Sequence, residues 1–571
     1  MGFQHIAPLP FKLIFPDEEP KDLIEYFVGI NKEFLKKASA FFLGFNNKNS
    51  KWADPREFVM QFFSQGNADI ANQILQRIDN LGDEHKFSIP YEVSSLKLFE
   101  YVFDNEIPDE EVQSQKQQEI NIFKAYLLLN QLNTEEAGKI TEMSLVDVPA
   151  DRKPAAALIA NHFHNFDLTN YDLDKLFSTQ MIRSIMFFEF LESEPQANAL
   201  LRTFYEKFGV TDYKDFLKRL IPISAAIAMK DKESYTDIDI SKNDNLKQNI
   251  EFLEKLTVDD VGKIEGLDFI GLRSKPLYKV HEGLYRIISP LFSLELLYNG
   301  LYWKLKETND ELTDNERIKH FNGLKTLKFS EVFSLHRILK KYFGNRYLQY
   351  SGEQLDANYD GAPDYYVRNG KRIFLFESKD ILTTAEVKQS TDFLKIEKLL
   401  SDKLYKPKGI MQIIGNVKKA LSNNLDFDKN VNPKTVVIYP ILILHNRMFM
   451  IAGMNKLLNH WFNDELLKLE QKGFDISRVK PLVIIDIDTL IFNQDMFINK
   501  KLDLEACLIE YQETYINFTT EGRRYYTERA SIKALADSYL PFSYFLDSKV
   551  DKLGKRQMPS ELMEKGYTLF E

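Results

Sequence analysis

The sequence predicts a multidomain chain: a large, mostly α-helical amino-terminal region, then an α/β domain with a mixed central sheet. Three observations predict it. Across the first 320 residues apolar side chains recur at intervals of three and four, the period of an amphipathic helix. Beyond that point short β-branched and aromatic runs alternate with helical patterns, the order of a sheet with helices packed on it. The length, 571 residues, corresponds to about three domains at roughly 100–200 residues each.

Taken in order, helical periodicity covers residues 22–43, 68–81, 111–132, 180–191, 213–229 and 278–306, and Pro290 is expected to kink or divide the last. Asn133-Thr134-Glu135-Glu136 and Asp310-Glu311 suit caps or short loops between such stretches. One amphipathic helix is expected over 329–343, stopped by Gly344-Asn345. Strand patterns follow at 347–352, 364–367 and 373–377. Between the last two, Arg368-Asn369-Gly370-Lys371 carries the Asn-Gly signature of a type I′ hairpin. Helices are expected over 385–404 and 409–421. Residues 435–444 and 482–487 are apolar almost throughout, Asp486 apart, as buried strands are. Residues 500–571 return to a helical, aromatic-rich pattern. The domains expected are a helical region over 1–318 with a sensing, interaction or oligomerisation role, an α/β domain over 319–500, and a helical extension over 501–571 packed on it.

Composition narrows the class. With 44% hydrophobic and 28% charged residues, the chain is neither low-complexity nor collagen-like. A single cysteine, Cys507, excludes an internal disulfide or a thiolate metal cluster and fits a reducing, cytoplasmic setting. The amino terminus lacks a basic start followed by an apolar run, and no segment reaches about 18 uninterrupted apolar residues. Neither a signal peptide nor a membrane span is expected. The net charge of -10 looks adverse for a nucleic-acid partner, but residues 321–430 are locally basic, and partners respond to the local field. No phosphate-cradling GxxxxGK[ST] loop is present, so any ATP hydrolysis must come from a separate ATPase.

The chemistry concentrates in the basic stretch. Ala362-Pro363-Asp364 opens one arm of the hairpin, and Ile373-Phe374-Leu375-Phe376-Glu377-Ser378-Lys379 forms the other. Side chains alternate along a strand, so Glu377 and Lys379 share a face and Ser378 points to the opposite one. Asp364 on the neighbouring arm brings a second carboxylate beside Glu377. Paired hard oxygens suit Mg²⁺ (or Mn²⁺), with the Ser378 carbonyl as a third ligand. Lys379 can hold a metal-bound water and offset charge developing on a phosphate. Together these groups suit phosphodiester hydrolysis. Other candidates are poorer. His162 and His164 lack an accompanying ligand cluster, Asp486 and Asp488 mark where a buried strand emerges, and Cys507 sits in an apolar helical pattern.

These residues and their order resemble the PD-(D/E)xK, or restriction-endonuclease-like, nuclease superfamily, in which a proline-aspartate pair precedes an acidic residue, any residue and a lysine. The resemblance covers about residues 320–490 of the chain. The other proline-aspartate pairs, Pro16-Asp17 and Pro108-Asp109, lie in helical territory without such a partner. The resemblance implies metal ligation by Asp364 and Glu377 and the catalytic-lysine role for Lys379. Glu331, on the helix before the sheet, and Gln412, on the helix after the motif, match positions where many members carry a polar or acidic group. The implied function is a Mg²⁺-dependent endonuclease acting on DNA and leaving a 5′-phosphate, in defence against phage or foreign DNA. A homodimer would supply the second site for double-strand cleavage, and the helical region would engage a sensor or ATPase partner. Lys388, Lys395, Lys418 and Lys419 are the expected phosphate contacts. The alternatives are a non-catalytic nucleic-acid-binding scaffold of the same fold, or a repair or recombination nuclease.

Overall fold

Five strands organise the carboxy-terminal half: β1 (Leu348–Ser351), β2 (Tyr365–Asn369), β3 (Arg372–Lys379), β4 (Val437–Leu444) and β5 (Val483–Asp486). The structure is a computed structural model that describes residues 7–47, 54–81, 87–105, 113–228, 235–243, 245–258, 267–356, 359–517, 534–554 and 557–570. The sheet order is β5-β4-β3-β2-β1. The β1–β2 and β2–β3 pairs are antiparallel and the β3–β4 and β4–β5 pairs parallel, so the sheet is mixed. Parallel steps require crossovers. Helices α4 (Phe393–Leu400) and α5 (Ile410–Leu421) lie in the first, and α6 (Met454–Glu470) in the second. The β2–β3 hairpin forms as expected but turns at Gly370-Lys371, between the paired Asn369 and Arg372. Gly370 takes φ 59°, open to glycine at little cost, whereas Asn369 and Lys371 keep negative φ, so the turn is not the expected Asn-Gly type I′.

Both faces of the sheet are apolar and covered. Val367, Phe374, Phe376, Ile441 and Ile485 face a core shared with α2 (Leu173–Ser193) and α3 (His336–Phe343). That core runs across position 318 from Ala40 to Leu569, so the helical region and the sheet are packed as one body on this side. The carboxy-terminal helices join it: Phe542–Lys552 lies against β5, and Ser560–Phe570 against α2. Tyr366, Ile373, Leu375, Leu442 and Ile484 face a second core with α1 (Lys153–Phe163), α4, α5 and α6. A third core, within residues 9–129, absorbs many of the phenylalanines; in it Phe42 stacks on Tyr126 with ring centroids 3.8 Å apart. Among the described residues no helix is long and apolar enough to cross a membrane.

The structure departs from the expected elements in four places. Residues 278–287 are not helical: Leu277–His281 and Leu284–Ile287 form an antiparallel hairpin that also pairs Asp237–Asp239. Gly283 permits the turn at φ 79°, and Ser241 Cα would lie 3.2 Å from an added Cβ. Pro290 then opens a helix, Pro290–Glu295, at the position where its missing N–H costs nothing, behind the Ser289 cap. The segment 133–136 lies inside one long helix, Gln115–Ser144, where the Thr134 hydroxyl donates to the Asn130 carbonyl. The stretch 22–43 breaks at Gly29 (φ 77°) into Leu23–Phe27 and Lys32–Asn47. The stretch 385–404 breaks after Lys388, and Asp392 caps α4 by accepting from Leu394 N. Pro16-Asp17 lies in a turn, while Pro108-Asp109 and positions 111–112, 229, 518–533 and 555–556 lie outside the described residues.

Candidate active site

The antiparallel ladder between β2 and β3 ends at the Tyr365–Phe376 pair. One step further the strands part, and the side chain of Asp364 fills the gap. Its Oδ2 accepts from the Ser378 main-chain N–H at 2.6 Å, in place of a strand partner. On the other side of Asp364 the chain packs against Gly352, whose N–H donates to the Asp364 carbonyl at 2.7 Å. A Cβ at Gly352 would sit 3.1 Å from that oxygen, so a larger residue there would have to push the Asp364 main chain by a few tenths of an ångström.

Glu377 and Lys379 share one face of β3, as strand alternation requires. Lys379 Nζ donates to Glu377 Oε1 at 2.5 Å and to the Ser378 carbonyl at 3.1 Å. Glu377 is 1% exposed, and its Oε2 has no hydrogen-bond partner. Burial and the negative charges of Asp364 and Glu331 push the Glu377 carboxyl well above the usual carboxylate range, although Lys379 pulls the other way. The same carboxylates hold Lys379 protonated, its pKa raised despite burial. Three carboxylates thus surround one ammonium, and the excess negative charge is relieved by a proton or by a cation.

The unpartnered Glu377 oxygen, the adjacent Asp364 carboxylate and the Ser378 carbonyl form a hard-oxygen donor set that fits Mg²⁺ or Mn²⁺. Among the described residues no group of three or more His, Cys, Asp or Glu side chains could hold a metal by itself.

The structure brings Asp364, Glu377, Ser378, Lys379 and Glu331 together. Glu331 lies on the π-type helical turns Leu324–Leu335 and acts on Glu377 and Lys379 through its charge. Gln412 supports the site from α5: its Nε2 donates to the Ala362 carbonyl at 3.2 Å, two residues before Asp364. Lys419, two turns further along α5, donates to the carbonyls of Asp360 at 2.5 Å and Gly361 at 3.3 Å. Its ammonium braces the loop that delivers Asp364. Lys388 is a correction: it is 6% exposed, and its Nζ is held at 2.7 Å by both Asp167 and Asp268. It is a buried cation where the short helix Ala385–Lys388 meets the amino-terminal segments Phe166–Thr169 and Leu267–Phe269. Lys395 and Lys418 are exposed.

Sequence reasoning missed a layer behind the strand end. Asp380, directly after Lys379, accepts from Lys325 Nζ at 2.6 Å and Ser330 Oγ at 2.5 Å, and Lys325 holds its carboxyl down at about 2. The His445 ring shares a 2.9 Å hydrogen bond with Ser378 Oγ, and burial pushes its pKa down to about 3, so the ring is neutral. The His336 ring packs on Tyr365 at 5.2 Å and is pushed down to about 4 by burial. A polar residue directly after an apolar run was the available signal for His445; Lys325 offered none.

The other candidates are structural. Asp486 caps the helix Ile487–Phe492 through Thr489, Asp488 pairs with Arg183 at 2.9 Å, and Cys507 is buried. His164 is half-buried, and desolvation pushes its ring down to about 4. Comparison with protein-family models, with curated proteins and with solved structures finds no match to this chain.

Proposed function

We propose that the chain is a metal-dependent endonuclease of the restriction-endonuclease-like class, hydrolysing phosphodiesters of DNA. The observation that carries this reading is the convergence of Asp364, Glu377 and protonated Lys379 at the parting ends of β2 and β3, with one Glu377 oxygen left without a partner. A salt bridge serving stability alone has no use for that arrangement, since burying an unsatisfied carboxylate oxygen costs free energy. Asp364, Glu377 and the Ser378 carbonyl would hold Mg²⁺, which supplies Lewis-acid polarisation of a phosphoryl oxygen and an acidified water. Lys379 places a fixed positive charge where negative charge builds on the phosphate. Glu377, Asp364 and, to the smallest extent, Glu331 keep that ammonium charged, and Gln412 and Lys419 fix the loop before Asp364. The reading extends to foreign DNA as the target, with the helical region as the element that restrains or recruits the nuclease.

The test uses the full chain with supercoiled plasmid, linear duplex, single-stranded DNA and RNA, in Mg²⁺, Mn²⁺ or EDTA. A Glu377→Ala, Lys379→Ala double variant runs alongside. Metal-dependent cleavage lost in the folded variant is the expected result. Tight metal-independent DNA binding without cleavage would instead assign the chain as a scaffold.

A further inference from the structure

We propose that His445 is a positioning residue of this site, fixing the Ser378 main chain that aims Asp364 and Lys379, and that Arg183 ties this hold to the amino-terminal helices. The proposal rests on the nuclease reading above.

The main chain of Ser378 does two jobs. Its N–H orients Asp364 Oδ2 at 2.6 Å, and its carbonyl accepts from Lys379 Nζ at 3.1 Å. Nothing in β2 secures it, because that ladder stops at Phe376. Its anchorage comes from the other edge. The β3–β4 register continues to the Lys379–Leu444 pair, and the next N–H, of His445, donates to the Lys379 carbonyl at 3.3 Å. The ring of the same residue reaches Ser378 Oγ at 2.9 Å. Alternation turns the Ser378 side chain away from Glu377 and Lys379, so His445 grips the strand from the reverse face, 5% exposed and away from the groups assigned to the reaction.

Arg183, on α2, donates from Nη1 to the His445 carbonyl at 3.3 Å and to Asp488 at 2.9 Å. Its guanidinium lies over the Tyr298 ring at 4.1 Å. Three segments distant in sequence, carrying the His445 carbonyl, Asp488 and Tyr298, therefore converge on the Arg183 guanidinium behind the site. Without the His445 ring, the Ser378 hydroxyl loses its partner and the strand end its lateral restraint, so the donor set loosens while exposed phosphate contacts such as Lys395 and Lys418 are untouched.

Full-length His445→Ala, His445→Gln, Ser378→Ala and the His445→Ala, Ser378→Ala double variant are compared with wild type. The readouts are Mn²⁺ affinity by electron paramagnetic resonance, Tm, and the kcat and KM for DNA cleavage. Each alanine variant is expected to weaken Mn²⁺ binding by about 10–100-fold and to lower kcat with little change in KM. The double variant should lose no more than either single one, because both remove the same hydrogen bond. His445→Gln, whose amide can engage Ser378 Oγ, should recover most of the affinity. Should His445→Ala not fold, Ser378→Ala decides by the same readouts. Wild-type Mn²⁺ affinity in the folded alanine variants, or additive losses in the double variant, overturns the positioning role alone. A wild type that takes up no Mn²⁺ and cleaves nothing overturns the nuclease reading and this proposal with it.

Discussion

Lys379 Nζ lies 2.5 Å from Glu377 Oε1, yet the other oxygen of that buried carboxylate has no partner. The pair is electrostatically incomplete, because Asp364 and Glu331 add negative charge that one ammonium does not offset. A raised carboxyl pKa in the fold means that the folded state binds its proton more tightly than the unfolded chain does. Stability is therefore lost as pH rises from the ordinary carboxylate value towards the higher folded value. Glu377→Gln, a neutral isostere, removes that penalty. In EDTA at pH 7.5 it should raise the apparent Tm by roughly 2–4 °C while abolishing any stabilisation of the chain by Mg²⁺. Differential scanning calorimetry with and without metal checks both halves; a lower Tm in EDTA would contradict the charge argument.

Asp380 behaves oppositely. Lys325 and Ser330 hold its carboxyl down at about 2, against 3.8 for the ordinary group. Its stabilising contribution is full above the unfolded value and is lost as pH falls through about 4 towards about 2. Asp380→Asn leaves the Lys325 ammonium buried without its counter-charge and should cost about 3–5 kcal/mol at pH 7. The gap between variant and wild type should narrow steadily below pH 4. Urea unfolding at pH 7, 5 and 3 measures it, and a pH-independent gap would show that packing, not charge, is responsible.

The sheet was legible because its signals are local. Arg368-Asn369-Gly370-Lys371 marks the hairpin, and the apolar run 373–376 ends at the acidic-x-Lys triplet whose Glu377 and Lys379 the structure places on one face. The stretch 277–287 was not, since Leu277, Tyr278, Tyr285 and Ile287 fit a helical as well as an extended spacing, and the pairing of its two arms with each other and with Asp237–Asp239 decides between them. Lys388 misled for a different reason. Its partners Asp167 and Asp268 lie 221 and 120 positions away. A lysine on a short polar helix reads as solvated until the distant carboxylates are in place. The same holds for Lys325 and Arg183, whose roles depend on Asp380 and Asp488 in segments distant in sequence.

The four lysines expected to contact phosphate should consequently separate by assay. Lys388→Met removes a buried cation shared by two carboxylates and should cost about 3 kcal/mol or more, with DNA affinity unchanged in the protein that remains folded. Lys395→Ala and Lys418→Ala, at exposed positions, should leave stability within about 0.5 kcal/mol. Where they touch DNA, each should weaken binding uniformly across sequences and reduce the salt slope by about 0.9. Lys419→Met should fall between these classes. Its ammonium caps the Asp360 and Gly361 carbonyls, so its loss frees the loop before Asp364 and lowers kcat more than affinity. Fluorescence anisotropy over a salt series, beside single-turnover cleavage, resolves the three behaviours. If Lys419→Met weakened DNA binding and spared the chemical step, Lys419 would be a phosphate contact after all, and the loop brace would not be its function.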